Sequence, residues 1–326
     1  SVRGSSSATQ MATARETATP VPSALPSRSA SLAYIGADGA LWFVMPDGTD
    51  NRRLTDRCPG NQIEWSPDGE FIACAYFSIA IFDSAGREVW RRDHSFDVPG
   101  AMSLEWSLDS RRLAFRDADN AIHIVDVSNG AEQIVKPDAL PLGWVAEDTL
   151  LAGFNVREAE GESAYTYEVH LLNVETGESS SAPYFDDKQF WIAPQGDRAV
   201  VLTESSGDGV GLAVYDFAIG IETAVPSTGL TYPRSVAFSP DGTTFFAASA
   251  ERDRPASMIY SCAIHAGGCQ IVGSVPGLLI NISDQGLVAY LVPGGIPEMM
   301  TITDLKAATT VSVGLAHPNW AWRPTR

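Results

Sequence analysis

The chain has 326 residues, of which 44% are hydrophobic, and this is enough apolar material for a packed core. It carries 22 Lys and Arg against 40 Asp and Glu, a formal net charge of −18 that opposes non-specific binding to nucleic acid and to anionic membranes. No stretch approaches the ~18 consecutive apolar residues of a membrane-spanning helix, so we expect no nucleic-acid partner and no direct membrane insertion of the folded part.

Residues 1–30 differ in composition from the rest of the chain. Ser, Thr, Pro and Ala make up 20 of these 30 residues, and none is aromatic. Such a segment cannot bury a core, which predicts a disordered stalk or linker over 1–30 and a single folded domain over 31–326. Stalks of this kind tether exported domains to a cell surface, and the alternative is a disordered terminus without a role. Because the chain begins at Ser1, we expect a mature or truncated form.

One phrase recurs along the folded part. It combines an apolar strand, a turn built on Pro-Asp-Gly or a degenerate form of it, and a second apolar strand, as in WSPDGEFIACAY and FSPDGTTFFAAS. The residue two positions before the turn's Pro recurs every 38 to 48 residues, at Trp65, Trp106, Trp144, Ile192, Phe238, Ile282 and Trp322. A period of about 40–45 residues is typical of the four-stranded blades of a β-propeller.

The chemistry of the turn explains the phrase. Pro67 presets φ at the corner of a tight turn, Asp68 can accept local backbone hydrogen bonds, and Gly69 adopts the left-handed conformation that closes the turn. Trp65 supplies a large apolar wedge between neighbouring sheets. The Asp residues of these turns belong to separate blades, so we interpret them as turn formers rather than as paired catalytic carboxylates.

Six complete units and two fragments account for the folded part. Residues 317–326 supply an inner strand, and residues 31–56 supply the three strands that complete the same blade. Pairing the two ends of the chain closes a ring that would otherwise leave exposed sheet edges. The sequence therefore predicts an all-β, seven-bladed β-propeller of four-stranded antiparallel blades with almost no helix.

The phrases WSPDGEFIA, FSPDGTTFFA and LWFVMPDGTDNRRLT resemble the PD-type WD-repeat of TolB-like β-propellers, over about residues 31–326. The resemblance implies the propeller fold. Members of this group include periplasmic and surface proteins that bind partners at the mouth of the central channel, and propeller domains that gate a peptidase. TolB-type proteins usually have six blades and a separate N-terminal domain, whereas this chain has seven units preceded by a stalk.

Four cysteines suggest the compartment. Cys262 and Cys269 lie on the two strands of one hairpin, and Cys58 and Cys74 flank strands that antiparallel pairing would bring together. We predict the disulfides Cys58–Cys74 and Cys262–Cys269, as in an exported protein of the bacterial periplasm or the extracellular space. The alternative is a cytosolic protein with four buried thiols.

The usual signatures of enzymes are absent from the sequence. It has no His-Glu-x-x-His pair for zinc, no Gly-x-Ser-x-Gly elbow, and no phosphate-binding loop. The five histidines are scattered, and we interpret His123 and His170 as surface or packing residues. We therefore predict no catalytic residues, no metal and no cofactor.

Two functions remain open. The favoured one is a non-catalytic, exported binding or scaffold module, monomeric and extracellular or periplasmic, that engages a protein, peptide or glycan through a loop face of the propeller. The alternative is an enzyme, a hydrolase or lyase that uses channel-facing carboxylates with or without a metal. Propeller enzymes can take their ligands from separate blades, so the missing motifs do not dismiss it.

Loop lengths indicate where a ligand would bind. The loops at 157–165, 204–211 and 251–257 are longer than a hairpin requires, and they lie on the face opposite the Pro-Asp-Gly turns. The segments 183–189 and 229–234 are placed on the same face, with aromatic and charged residues that can act as anchors. The predicted ligand-binding residues are Tyr184, Phe185, Asp187, Lys188, Tyr232, Arg234, Arg252 and Arg254.

Overall fold

The computed structural model describes residues 30–324, apart from 61, 77, 94–102, 159–164, 187, 205–209, 227–229, 231–232, 251–255, 265–267, 277–279 and 293–297. The predicted disordered stalk over residues 1–30 lies outside this part of the chain except for Ala30, which is buried. Within it, 27 strands are joined by turns, and a 3-10 turn at Pro183–Phe185 is the one helical element.

The strands follow the chain in groups of four. In order they are β1 (Ser31–Gly36), β2 (Leu41–Val44), β3 (Arg52–Thr55), β4 (Gln62–Trp65), β5 (Phe71–Ala75), β6 (Ser78–Asp83), β7 (Glu88–Asp93), β8 (Leu104–Trp106), β9 (Arg112–Arg116), β10 (Ile122–Asp126), β11 (Glu132–Lys136), β12 (Ala139–Trp144), β13 (Thr149–Glu158), β14 (Tyr165–Asn173), β15 (Ser179–Ser181), β16 (Phe190–Ile192), β17 (Arg198–Glu204), β18 (Val210–Asp216), β19 (Ile221–Val225), β20 (Pro233–Phe238), β21 (Thr244–Ala250), β22 (Ser257–Ala263), β23 (Gly268–Val275), β24 (Ile280–Ile282), β25 (Leu287–Val292), β26 (Glu298–Asp304) and β27 (Thr309–Arg323).

These strands form seven antiparallel blades, which confirms the predicted fold. Strands β4–β7, β8–β11, β12–β15, β16–β19 and β20–β23 make five separate four-stranded sheets, named blades 2 to 6 here. A sixth sheet has seven strands in the order β24-β25-β26-β27-β1-β2-β3. It contains two blades that share β27, namely blade 7 (β24 to β27) and blade 1 (β27 and β1 to β3).

The shared strand β27 closes the ring. Its first part pairs with β26 from Asp304↔Thr309 to Glu298↔Ala316, and its last part pairs with β1 from Gly36↔Ala316 to Ser31↔Arg323. One long strand is therefore the outermost strand of blade 7 and the innermost strand of blade 1. The predicted pairing of the two ends of the chain is confirmed.

The core lies between the blades rather than inside any one of them. Buried apolar residues in the described part of the chain form seven clusters, one at each interface between neighbouring blades. Trp65, Trp106 and Trp144 each end an inner strand and pack against the preceding blade. The predicted wedge role of these tryptophans follows from their place in the clusters.

The tryptophans also carry hydrogen bonds from blade to blade. Each indole N–H donates to a carbonyl on the preceding inner strand, at the residue just before that strand's own wedge. The bonds are Trp322 Nε1 to Asn281 O (3.1 Å), Trp65 Nε1 to Ala321 O (3.2 Å), Trp106 Nε1 to Glu64 O (3.3 Å) and Trp144 Nε1 to Glu105 O (2.9 Å). Five consecutive inner strands, from blade 7 through blade 4, are linked in this way.

The Pro-Asp-Gly turns depend on a buried serine as well as on the aspartate. In blade 2 the Ser66 hydroxyl donates to Asp68 Oδ1 (2.6 Å) and accepts from the amide of Phe71 (3.0 Å). Gly69 closes the turn at a φ of 67°. Blade 6 repeats the arrangement, where the hydrogen bond from Ser239 lowers the pKa of Asp241. The sequence interpretation identified Asp and Gly but gave the serine no part.

Both predicted disulfides are confirmed. Cys58 and Cys74 are joined at a Cα separation of 5.6 Å and lie in the cluster between blades 1 and 2. Cys262 and Cys269 are directly opposite each other on β22 and β23, at a Cα separation of 4.0 Å. Cys58–Cys74 fastens the segment that connects blades 1 and 2 to β5, and Cys262–Cys269 joins two neighbouring strands of blade 6.

Candidate functional site

The inner strands surround a central channel that widens at one end. A cavity of about 550 Å³ is lined by residues of the inner strands of blades 1, 2, 3, 5, 6 and 7. Four prolines of the turns that follow these strands also line it: Pro67, Pro194, Pro240 and Pro324. The cavity is therefore the mouth of the channel on the Pro-Asp-Gly face.

The residue just before each wedge faces the channel or the following blade. On a strand successive side chains alternate, so Trp65 turns toward blade 1 while Glu64 turns the other way. Around the ring this position is occupied by Ala321, Glu64, Glu105, Gly143, Trp191, Ala237 and Asn281. Among these seven residues, Glu64 and Glu105 on the neighbouring blades 2 and 3 are the two with carboxylates. At this level the cavity wall is therefore acidic on the side of blades 2 and 3.

The two glutamates influence each other. Both are partly accessible from the channel, while protein atoms surround them on the remaining sides. Burial, with the negative charge of Glu105 as a second cause, raises the pKa of Glu64 well above its ordinary value. Burial raises the pKa of Glu105 to about 7, although a hydrogen bond from the Ser103 hydroxyl to Oε1 (3.0 Å) opposes the shift. An environment that disfavours ionisation in this way also favours a positively charged ligand.

Gly143 makes room on the next blade. Its φ is 141°, and a Cβ atom there would lie 2.4 Å from Ile192 Cδ1 and 3.6 Å from Glu105 Oε2. Any larger residue would have to displace the end of the Ile192 side chain, while its contact with the Glu105 carboxylate would be an ordinary van der Waals one. Glycine at this position therefore keeps space beside the acidic wall.

The other charged residues that line the cavity are Asp284 and Arg323. Arg323 is already held in place: its Nε donates to the carbonyl of Gly69 (2.8 Å), and its guanidinium lies 5.1 Å from the ring centroid of Trp65. It fastens the end of β27 to the turn of blade 2. The described lining thus carries three carboxylates and one guanidinium.

Tyr184 and Phe185 lie between the outer parts of blades 4 and 5. The Tyr184 ring stacks on Tyr215 (4.6 Å between centroids), and its hydroxyl donates to the carboxylate of Glu222. The amide of Phe217, just beyond Tyr215, donates to Asp197 O in the turn after β16. Tyr184 is therefore near the Pro-Asp-Gly end of blade 5. Phe185 is 1% exposed and packs into the aromatic cluster between blades 4 and 5.

The remaining predicted binding residues are only partly described. Lys188 Nζ lies 3.7 Å from the ring centroid of Tyr184, so these two residues are together. Arg234 is exposed at the start of β20, at the opposite end of the blades from Tyr215. Asp187, Tyr232, Arg252 and Arg254 lie outside the described residues. The structure thus joins Tyr184 with Lys188 but does not bring Arg234 to the same place.

Sequence reasoning did not single out Glu64 and Glu105. A signal was present, because both precede a wedge tryptophan and strand alternation turns such a residue away from the preceding blade. The repeat alignment does not show, however, which of the seven equivalent residues line one shared cavity. In addition, no common enzyme motif consists of two glutamates 41 residues apart.

A second charged cluster lies away from the channel, between blades 2 and 3. Arg92 forms ion pairs with Asp117 and Glu132, and His123 Nδ1 lies 2.7 Å from Glu132 Oε1. Asp117, Asp119 and His123 bring their ligand atoms within 4.8 Å of one another. His123 is 1% exposed and stacks on Phe115. Because the Arg92 guanidinium pairs with two carboxylates of this cluster across the interface, we interpret it as an ion-pair network that joins two blades.

The chain has the fold of a seven-bladed β-propeller, and this fold is similar to that of TolB-like and WD-repeat propellers. A family model, the anaphase-promoting complex subunit 4 WD40 domain, matches residues 63–136, which are blades 2 and 3. No match was found among curated protein sequences. In the described part of the chain, no helix has the length and apolarity that crossing a bilayer requires.

Solved structures share the architecture at low sequence identity. TolB from Acinetobacter baumannii is 14% identical, with a TM-score of 0.54 over 91% of this chain and 67% of that one. An oligogalacturonate lyase in complex with manganese is 15% identical, with a TM-score of 0.58 over 87% and 83% of the two chains. A chain of the mitotic checkpoint complex is 14% identical, with a TM-score of 0.52 over 80% and 81%. These similarities show the fold and include both enzymes and non-enzymes.

Proposed function

We propose that this protein is a non-catalytic, exported binding module whose partner engages the mouth of the central channel on the Pro-Asp-Gly face. The observation that carries the proposal is the cavity of about 550 Å³, into which two neighbouring blades direct Glu64 and Glu105. A concave site with a few polar groups on an otherwise apolar wall is the usual form of a binding site. The partner class is a protein or peptide, or a glycan.

The rigidity of the ring supports a binding role. Closure by β27 and the indole hydrogen bonds hold the inner strands in fixed positions, so the cavity is formed before a ligand arrives. A preformed site loses less conformational entropy on binding than a flexible one. The two disulfides support export, because such bonds persist in oxidising compartments.

A blocked channel mouth tests the proposal. Peptides selected from a displayed random library on the immobilised wild-type protein would be measured again on Ala237→Trp and Gln62→Trp, whose side chains line the cavity. We expect each variant to weaken binding at least tenfold, whereas the control Ala85→Trp, on an exposed hairpin of the same face, binds like the wild type. Circular dichroism and thermal unfolding would establish that the variants fold.

The same selection distinguishes the predicted loop surface. Tyr184→Ala, Tyr232→Ala and Arg252→Ala are the matching variants for that hypothesis, which remains a prediction. If these three substitutions weaken binding of the selected peptides and both cavity variants leave that binding unchanged, the proposed location at the channel mouth is wrong.

An enzymatic role is a second candidate, and one observation favours it. A carboxyl group whose pKa is raised to about 7 can act as a general acid or base near neutral pH, and Glu105 is such a group in a cavity. The test is a comparison of Glu105→Gln with the wild type on a panel of glycans and peptides. Turnover by the wild type that falls at least a hundredfold in the variant would support an enzyme, and binding without turnover supports the module.

A further inference from the structure

We infer that the channel mouth holds an organic cation, such as the ammonium of a partner's lysine side chain, between Glu64 and Glu105. The inference rests on the proposed function, since it names the chemistry that the same cavity would recognise. It is carried by the cavity itself, by the bonding state of the two carboxylates, and by the distribution of charge around the ring.

The carboxylate of Glu64 has no partner in the part of the chain that the structure describes. Among the described residues no hydrogen bond or ion pair is formed by its side chain, and the nearest charge that acts on it is the like charge of Glu105. Glu105 has one hydrogen bond, from Ser103 to Oε1, which leaves Oε2 toward Gly143. Two carboxylates that share a single hydrogen-bond donor between them and repel each other within protein walls gain most from a positively charged donor.

The other titratable groups around the cavity do not supply that charge. Arg323 donates to Gly69 and lies over the ring of Trp65, so its position is accounted for at the edge of the mouth. Asp284 adds a further negative group from blade 7. The remaining wall, formed by residues such as Ala237, Ala321 and Ile282, is apolar.

The shape of the site favours an organic cation over a bare metal ion. A cavity of about 550 Å³ is far larger than a metal ion needs, and an apolar wall opposite the two carboxylates suits the methylene stem of a lysine. A metal site usually needs three or more His, Cys, Asp or Glu ligands close together. Among the described residues such a group occurs at Asp117, Asp119 and His123, and not in the channel. A metal ion is nevertheless an outcome that the experiment below distinguishes.

Small probes test the inference on the intact protein. Binding of 1,4-diaminobutane would be measured by calorimetry and by thermal unfolding, with 1,4-butanediol as the neutral probe of the same shape and with calcium and manganese chlorides at equal ionic strength. The variants are Glu64→Gln and Glu105→Gln, and the control is Glu178→Gln, which removes one exposed negative charge outside the cavity.

The expected result has three parts. The diamine binds the wild type and the Glu178→Gln control, and the diol does not. Glu64→Gln and Glu105→Gln each lower the affinity for the diamine at least tenfold, the scale expected when one charged hydrogen-bonding partner is lost. Binding also weakens as the pH falls below about 7, because protonation of Glu105 removes its charge.

Other results would overturn the inference. Equal binding of diamine and diol, or binding that survives in both channel variants, would mean that the two carboxylates do not recognise a cation. Stabilisation by a metal ion alone would assign the pair to a metal instead. If the wild type does not bind the diamine while Ala237→Trp still blocks binding of the selected peptides, the cation inference is wrong and the proposed function stands. If both experiments fail, the proposed function is wrong as well.

Discussion

The indole of Trp144 shows how a single residue can join two blades. Its ring fills the interface between blades 3 and 4, and its Nε1 donates to the carbonyl of Glu105 (2.9 Å). The repeat spacing predicted the wedge, but the hydrogen bond depends on how far neighbouring inner strands are shifted relative to each other along the channel axis. The spacing along the chain does not determine that shift.

Replacement of Trp144 by Phe tests the value of this bond. Trp144→Phe keeps an aromatic wedge but leaves a buried carbonyl without its donor, so we expect a loss of unfolding free energy about 1 kcal/mol greater than in the control. The control is Trp90→Phe, since the Trp90 ring packs on Phe115 and its indole forms no hydrogen bond among the described residues. Urea unfolding measures both. Equal losses in the two variants would show that only ring packing matters.

Glu105 gives a pH dependence with a defined sign. Its folded-state pKa of about 7 exceeds the ordinary glutamate pKa of 4.5, so the folded protein holds this proton more tightly than the unfolded chain. The contribution of Glu105 to stability is therefore favourable at acidic pH and is lost as the pH rises between these two values. Burial of the ionised group is the physical cause.

The variant Glu105→Gln should remove this dependence. We expect it to be more stable than the wild type by about 2 kcal/mol at about pH 8 and nearly equal to it at about pH 4. Chemical unfolding across this range measures the difference, and Glu178→Gln controls for the change in net charge. A difference between Glu105→Gln and the wild type that does not vary with pH would contradict the assignment.

At the scale of the structural element, the two disulfides close loops of different length, one from the connection between blades 1 and 2 to β5 and one within the β22–β23 hairpin. The Cys58–Cys74 loop spans 16 residues and the Cys262–Cys269 loop spans 7. Because a longer closed loop restricts the unfolded chain more, we expect the double variant Cys58→Ala/Cys74→Ala to lose about 3 kcal/mol and Cys262→Ala/Cys269→Ala about 2 kcal/mol. Guanidinium unfolding in the absence of reductant measures both, and the reverse order would argue against the loop-entropy explanation.

The elements also show how far sequence reasoning reaches. Blade number, strand order and both disulfides could be predicted, because turn chemistry and a regular period act locally and repeat seven times. The cavity could not be predicted, because residues from the inner strands of six blades form it together. The repeat pattern also assigns Glu64 and Ala237 to the same position and does not tell which of them contributes to a binding site. The segment 183–189 shows the same limit. Its aromatics suggested an exposed rim, yet Phe185 is buried against the neighbouring blade.

At the scale of the whole molecule, ring closure depends on the last strand. Removal of residues 317–326 would take away the part of β27 that pairs with β1, together with the bonds of Trp322 and Arg323 to neighbouring blades. We expect this truncation to lower the thermal midpoint by more than about 10 °C or to abolish cooperative unfolding, since two sheet edges become exposed. Removal of residues 1–28 is the matched control and should leave the midpoint unchanged. Equal midpoints for both truncations would contradict closure by β27.

The location of the ligand is the central claim, and one measurement tests it most directly. A photo-reactive benzoylphenylalanine placed at Pro240, in the turn that follows β20 at the channel mouth, or at Arg234, at the other end of β20, would be exposed to light with a peptide selected on the wild-type protein. Mass spectrometry would then locate the cross-links. A site at the channel mouth predicts cross-links from position 240 and none from position 234, and cross-links from position 234 alone would contradict it.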